Sequence, residues 1–157
     1  GGTTIVLMLS TGDKAPAFAL LDQQGKKVTL TGLKGRNVLV YFYPKADTPG
    51  CTQQTCLLND IRSKVGDTAN IGISPDTVAK QLRFADKYGI KFPLLADEDH
   101  AVAESYAVWQ EKKNYGKTYM GIVRSAFLID GKGRIVHAWY KISPKDTPAR
   151  LLEALGL

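Results

Sequence analysis

Two stretches of the chain are apolar with almost no alternation. Asn37-Val-Leu-Val-Tyr-Phe-Tyr43 and Ala69-Asn-Ile-Gly-Ile-Ser74 therefore predict strands buried on both faces. Between them, Thr52 to Lys64 reads as a helix closed by Gly66-Asp67, so the two strands should run parallel across a crossover. Phe18 to Leu21 and Lys27 to Leu30, joined by Asp22-Gln-Gln-Gly25, predict an N-terminal hairpin, and Gly32 to Gly35 a loop. Ser74-Pro75-Asp76 supplies cap and first-turn chemistry for a helix over Thr77 to Tyr88, with Gly89 as its C-cap. Phe92 to Ala96 predicts a short strand and Ala101 to Tyr106 a short helix. Val108 to Gly121 shows no clear period and reads as a long functional loop. Ser125 to Ile129 and Arg134 to Tyr140 predict two strands about the turn Asp130-Gly-Lys-Gly133, and Asp146 to Leu155 a closing amphipathic helix opened by a cap and Pro148. A βαβ half followed by a β-hairpin and a helix is the thioredoxin-like α/β plan.

Composition narrows the class. The 157 residues suit one domain, and the hydrophobic fraction of 44% is ordinary. Residues 1–10 read as a poorly ordered leader or non-native remnant ahead of a start at Met8, and 11–157 as the single domain. The opening has no basic region or cleavage site typical of a signal peptide, and no stretch is long and apolar enough to cross a membrane. The net charge of +6 comes from scattered Lys and Arg, which points to a solvated surface and not to nucleic acid. Phosphate loops and dinucleotide fingerprints are absent, so no cofactor is implied.

The only two cysteines are Cys51 and Cys56. Such a pair is too sparse for a secreted disulfide scaffold and points to redox or metal chemistry in a cytoplasmic protein. Cys51 follows Thr48-Pro49-Gly50 where a strand hands over to a helix. Free backbone N–H groups and the helix dipole favour an anion there, and the thiolate is the nucleophilic form. Five residues along an intact helix rotate the side chains by roughly 140° and separate the Cα atoms by roughly 8–9 Å. A disulfide needs about 4.4–6.8 Å. Either the cysteines never pair, or the first turns unwind once Cys51 is oxidised to a sulfenic acid.

The neighbours point to a peroxide as oxidant. The Thr48 hydroxyl and the N–H groups of Gly50 and Cys51 can meet the charge that develops, and Pro44 and Pro49 stiffen the loop and shield the sulfur. A cation is also required. Lys45 is a candidate, but Arg124, immediately before the strand Ser125 to Ile129, is better presented. Other readings stay open: a general dithiol–disulfide oxidoreductase, a redox sensor whose unwound helix exposes Leu57 and Leu58, or a zinc module. The zinc reading is weakened because His100 and His137 are far apart in sequence. Both histidines read as structural or surface residues, and Trp109 and Tyr115 as pocket wall or satellite core.

The stretch "YFYPKADTPGCTQQTC" resembles the active-site motif of peroxiredoxins, and a second Cys five residues on resembles their bacterioferritin comigratory protein (Q-type) branch. "GISPD", "FPLLADEDH", "EKKNYGKTYMGIVRSAFLID" and "GKGRIVHAW" extend the similarity from about Thr11 to Tyr140. The chain departs from it at Leu57-Leu58-Asn59-Asp60, where relatives carry an aromatic and Arg-Asp, and in a slightly shorter stretch from Ile61 to Asn70. The resemblance implies a thioredoxin-like fold, Cys51 as peroxidatic and Cys56 as resolving cysteine. It also implies Pro44, Thr48 and Arg124 as the peroxide shell and Gln54 as a residue that braces it. The implied substrates are hydrogen peroxide and organic hydroperoxides, with thioredoxin or a similar dithiol as reductant, in a monomeric protein.

Overall fold

The structure is a computed structural model, and it describes residues 7–157. Most of the leader expected at residues 1–10 thus lies outside the described residues, although Leu9 N–H donates to the Tyr140 hydroxyl at 2.9 Å and Leu9 packs on the core.

A seven-stranded mixed sheet forms the middle of the molecule, in the order β2-β1-β5-β4-β3-β8-β9. The parallel centre is β3 (Val38–Phe42), β4 (Ala69–Ser74) and β5 (Leu94–Ala96). On one side β8 (Ser125–Ile129) and β9 (Ile135–Trp139) join antiparallel, and on the other β1 (Ala19–Leu21) and β2 (Lys27–Thr29). Every residue of β3 and β8 is buried, which is why their sequences are continuously apolar. One face of the sheet packs Val38, Val40, Phe42, Ile71 and Phe127 against Tyr106 and Val108, beside α3 (Ala101–Ser105). The other carries Leu39, Tyr41 and Leu128 under three helices. Leu58 comes from α1 (Pro49–Asp60), Phe84 and Ala85 from α2 (Val78–Tyr88), and Leu151 from α4 (Asp146–Ala154).

Several expected boundaries move. α1 begins three residues before Thr52 and ends at Asp60, with a separate 3₁₀ turn at Arg62–Lys64 in place of its last turn. The Gly32 to Gly35 loop contains a 3₁₀ turn, Thr31–Leu33. The cap of α2 is Thr77, whose hydroxyl oxygen accepts the Lys80 N–H at 3.2 Å, and not the Ser74-Pro75-Asp76 segment. Gly89 closes that helix at φ 64°, as the C-cap expectation requires.

The larger correction concerns Val108 to Gly121. It is no loop but a two-stranded ribbon, β6 (Trp109–Asn114) and β7 (Lys117–Ile122), paired in register from Trp109↔Ile122 to Asn114↔Lys117. Its two-residue turn, Tyr115-Gly116, has both φ angles positive, the conformation of a tight hairpin turn. Most of the ribbon faces water on both sides, so its sequence carries no buried-face alternation. Tyr115 is 97% exposed at the ribbon's turn, whereas Trp109 packs on the core and stacks on His100 with ring centroids 3.8 Å apart.

Gly72 links the sheet to the helix above it. A Cβ there would lie 2.8 Å from the Tyr41 hydroxyl and 2.9 Å from a Leu94 methyl. Its absence gives the buried Tyr41 ring room, and the Tyr41 hydroxyl meets Thr55 Oγ1 on α1 at 2.8 Å. Such a buried bond contributes about 1 kcal/mol net, and stranding one partner costs about 1–3 kcal/mol.

Candidate active site at the start of helix α1

The strand β3 ends at Phe42, and Pro44 opens the five-residue loop that leads into α1. Three contacts hold that loop. Ala46 N–H donates to Asp76 Oδ2 at 2.7 Å, and the same carboxylate oxygen accepts the Ser74 hydroxyl at 2.7 Å. Asp47, at φ 59°, accepts the Tyr88 hydroxyl at 2.7 Å and Lys87 Nζ at 3.0 Å, both from the end of α2. The Tyr88 hydroxyl, then Lys87, hold the Asp47 carboxyl below its ordinary range. Third, the Thr48 hydroxyl donates to the Lys45 carbonyl at 2.7 Å.

Thr48 is the N-cap of α1 and Pro49 its first residue. The first helical bond runs from Thr52 N–H to the Thr48 carbonyl, at 2.8 Å. The N–H groups of Gly50 and Cys51 therefore precede the ladder, at the positive end of the helix. Cys51 is 1% exposed on this first turn. Arg124 comes from the short link between β7 and β8. Its Nη2 lies 3.4 Å from Cys51 Sγ, while Nη1 donates to Gln54 Oε1 at 2.8 Å. A Cβ on Gly50 would come within 3.2 Å of Arg124 Nη2. Glycine at this position leaves the guanidinium room to reach the sulfur.

The structure brings most of the expected residues together. Cys51, Gln54 and Arg124 touch one another in a chain, with Gly50 and Thr48 on the same turn. The Thr48 hydroxyl turns to Lys45 and not to the sulfur. Lys45 is exposed and contributes its carbonyl, so the cation at the sulfur is Arg124. Gln54 is wholly buried, and its Nε2 donates to Thr147 Oγ1 on α4 at 2.9 Å. Cys56, the other free thiol, lies half-buried further along the same helix. Burial, and then the charge of Asp60, push the Cys56 thiol up. Among the described residues no group of three or more His, Cys, Asp or Glu gathers as a metal would need, so the zinc reading lacks a ligand set there. His137, exposed, stacks on Trp139, and His100 stacks on Trp109.

Asp47, Asp76, Tyr88 and Thr147 hold the site and were not anticipated. Each acts across tens of residues of chain, so even where Asp47 falls inside the active-site stretch nothing local shows which partner it meets. The one sequence signal was "GISPD", whose Asp76 proves to hold the loop and not to cap a helix.

Chemically, this is a buried thiol at a helix N terminus, beside a guanidinium held by a second group. The family model described as AhpC/TSA matches residues 11–138. Peroxiredoxin Bcp of Escherichia coli K12 is 52% identical over 133 residues, which cover 83% of this chain and 85% of the relative. Peroxiredoxin Bcp of Bacillus subtilis 168 is 42% identical over 151 residues, covering 95% and 96%. Among solved structures, the Xanthomonas campestris bacterioferritin comigratory protein superposes with a TM-score of 0.83 at 34% identity, covering 88% of this chain and 90% of that one. That protein's alkyl peroxide reduction activity was studied through trapped intermediate and ligand complexes.

Proposed function

The chain belongs to the AhpC/TSA family, in the bacterioferritin comigratory protein branch of the peroxiredoxins, and on that premise we propose that Cys51 is its peroxidatic cysteine and Cys56 its resolving cysteine. It is a thiol-dependent peroxidase. The observation that carries the assignment to Cys51 is the guanidinium of Arg124, 3.4 Å from a sulfur that is itself almost wholly buried.

The Cys51 thiolate attacks one peroxide oxygen, and the O–O bond breaks. Sulfur is oxidised by two electrons to a sulfenic acid, and the departing oxygen takes a proton and leaves as water or an alcohol. Arg124 stabilises the thiolate and the charge that builds on the leaving oxygen, and the N–H groups of Gly50 and Cys51 add fixed donors. Thr48, with its proton committed to Lys45, keeps its oxygen lone pairs free to accept the peroxide O–H. Pro44 and the loop behind it limit water at the sulfur.

Cys56 then attacks the sulfenic sulfur; the S–O bond breaks and water leaves as the disulfide forms. Both cysteines lie within α1 as a continuous helix, so the segment between them has to unwind first. The side-chain bonds that oppose this include Tyr41–Thr55 and Gln54–Thr147, each about 1 kcal/mol, and the charge-assisted bond from Arg124 to Gln54. Leu58 is fully buried, and releasing it would cost about 1.5–3 kcal/mol more. Unwinding is therefore confined to the turns before Leu58.

Hydrogen peroxide and organic hydroperoxides are the proposed substrates; the activity studied in the Xanthomonas campestris relative supports the second. Thioredoxin or a similar dithiol is the proposed reductant, and it restores both thiols by exchange. A cytoplasmic monomer, with residues 11–157 as its one folded unit, completes the reading. Replacing Cys51 by Ser should abolish peroxide consumption in the presence of a dithiol; retained turnover would refute the assignment.

A further inference from the structure

We infer that Thr147 is a positioning residue for peroxide attack: its hydroxyl fixes which way the Gln54 amide faces, and that amide fixes the Arg124 guanidinium on the Cys51 sulfur. The inference deepens the reading of Arg124 given above and rests on it.

The hydrogen-bond inventory of the three side chains allows only one arrangement. Thr147 is fully buried at the start of α4, and its hydroxyl donates its single proton to the Ser143 carbonyl at 2.9 Å. A carbonyl only accepts, so the hydroxyl oxygen is left to accept in turn. The Gln54 atom 2.9 Å away must therefore be the NH₂ group. At the other end of the chain, a guanidinium only donates. The Gln54 atom 2.8 Å from Arg124 Nη1 must be the carbonyl oxygen. Both ends demand the same orientation. Were the amide reversed, NH₂ would face guanidinium and oxygen would face oxygen.

Without the Thr147 hydroxyl one of these demands disappears, and a buried NH₂ loses its acceptor. The amide is then anchored only at its guanidinium end, and with its NH₂ left seeking another acceptor it no longer holds Arg124 Nη2 firmly 3.4 Å from the sulfur. The same segment touches the site twice more. Ile142 N–H donates to the Arg124 carbonyl at 2.9 Å, and Pro144 Cγ sits 3.6 Å from where a Gly50 Cβ would be. The C-terminal segment from Ile142 to Thr147 thus acts as a strap across the first turn of α1.

Gln54 lies between the two cysteines, which gives the relay a second consequence. Its bond to Thr147 must break when α1 unwinds. Losing that bond should slow oxidation of Cys51 and speed closure of the disulfide.

The test is a double-mutant cycle in single-turnover kinetics on the full chain, with hydrogen peroxide as the probe. Thr147→Val should lower the rate constant for Cys51 oxidation by up to about tenfold, the scale of one lost buried hydrogen bond behind the guanidinium, and raise the rate of disulfide closure. Thr147→Ser should restore both rates. In an Arg124→Ala background, Thr147→Val should change the oxidation rate by less than about twofold, because its effect passes through the guanidinium. If Thr147→Val slows oxidation equally with and without Arg124, the hydroxyl acts otherwise and the inference falls. If Arg124→Ala is slow but Thr147→Val alone matches the parent, the inference falls and the reading of Arg124 stands. If Arg124→Ala oxidises at the parent rate, the two fall together.

Discussion

The first turn of α1 and the turn that follows it each carry one cysteine, and the two turns are built differently. Around Cys51 the structure converges: a guanidinium at 3.4 Å, two N–H groups ahead of the helical ladder, and a loop tied to β4 and α2 at Ala46 and Asp47. Cys51 itself is closed off from water. Around Cys56 there is no comparable construction. That thiol is half-buried, and burial, then the carboxylate charge of Asp60, work against its ionisation. In the proposed cycle one cysteine is prepared where it stands, and the other waits until the helix between them opens. Preorganisation suits the thiol that must meet a dilute peroxide, and restraint suits the one that must wait for a sulfenic acid. The Tyr41–Thr55 and Gln54–Thr147 bonds lie between the two cysteines along the helix, and the proposed cycle requires them to break before it opens.

Removing the second thiol is the bluntest way to break the comparison. Cys56→Ser should leave the first oxidation of Cys51 at its normal rate but halt turnover with a protein dithiol, trapping sulfenic or over-oxidised Cys51 until a small thiol rescues it. Undiminished turnover would show that Cys56 does not resolve. Next in size, Arg124→Ala should slow peroxide attack by about a hundredfold, the scale of losing one fixed donor at a developing charge. Arg124→Lys should recover only part of this, because an ammonium cannot bridge Gln54 and the sulfur as a planar fork does. A rate within about twofold of the parent would take Arg124 out of the reacting array.

Tyr41→Phe tests the restraint and not the chemistry. It removes the hydroxyl that meets Thr55, so disulfide closure should speed up by several-fold while Cys51 oxidation hardly changes, at a stability cost of about 1–2 kcal/mol. Equal closure rates in the two proteins would mean that this bond does not gate unwinding. The smallest effect expected is electrostatic. The Cys56 thiol is pushed up by burial and by Asp60, so the wound helix is favoured while that thiol is protonated. This advantage is complete below the ordinary thiol value and fades as pH rises through the raised one. Disulfide closure should therefore accelerate toward alkaline pH, and Asp60→Asn should move the rise to lower pH by a fraction of a unit. A profile identical in the two proteins would assign the shift to burial alone.

Much of this was legible in sequence where burial is two-sided. β4 and β8 match their predicted limits, and β3 its expected core, because a strand covered on both faces writes a continuous apolar run. Arg124 could be anticipated because it stands at the head of such a strand. The β6–β7 ribbon could not be read, since a hairpin that faces water has no hydrophobic face to mark its period and turns on Tyr115 where Asn or Asp is usual. Thr147 was hidden for another reason: it meets Gln54 across 93 residues, and a buried threonine on an amphipathic helix looks like any other. The nucleophile belongs to a local motif, but what holds its cation in place is tertiary.

The most direct test is the intact mass of the fully reduced protein after one equivalent of hydrogen peroxide, followed by peptide mapping. Loss of two hydrogen atoms with a Cys51–Cys56 link is the predicted result, and it requires the helix between them to have opened. An unchanged mass, or oxygen added to Cys51 with Cys56 still free and no disulfide formed, would contradict the account.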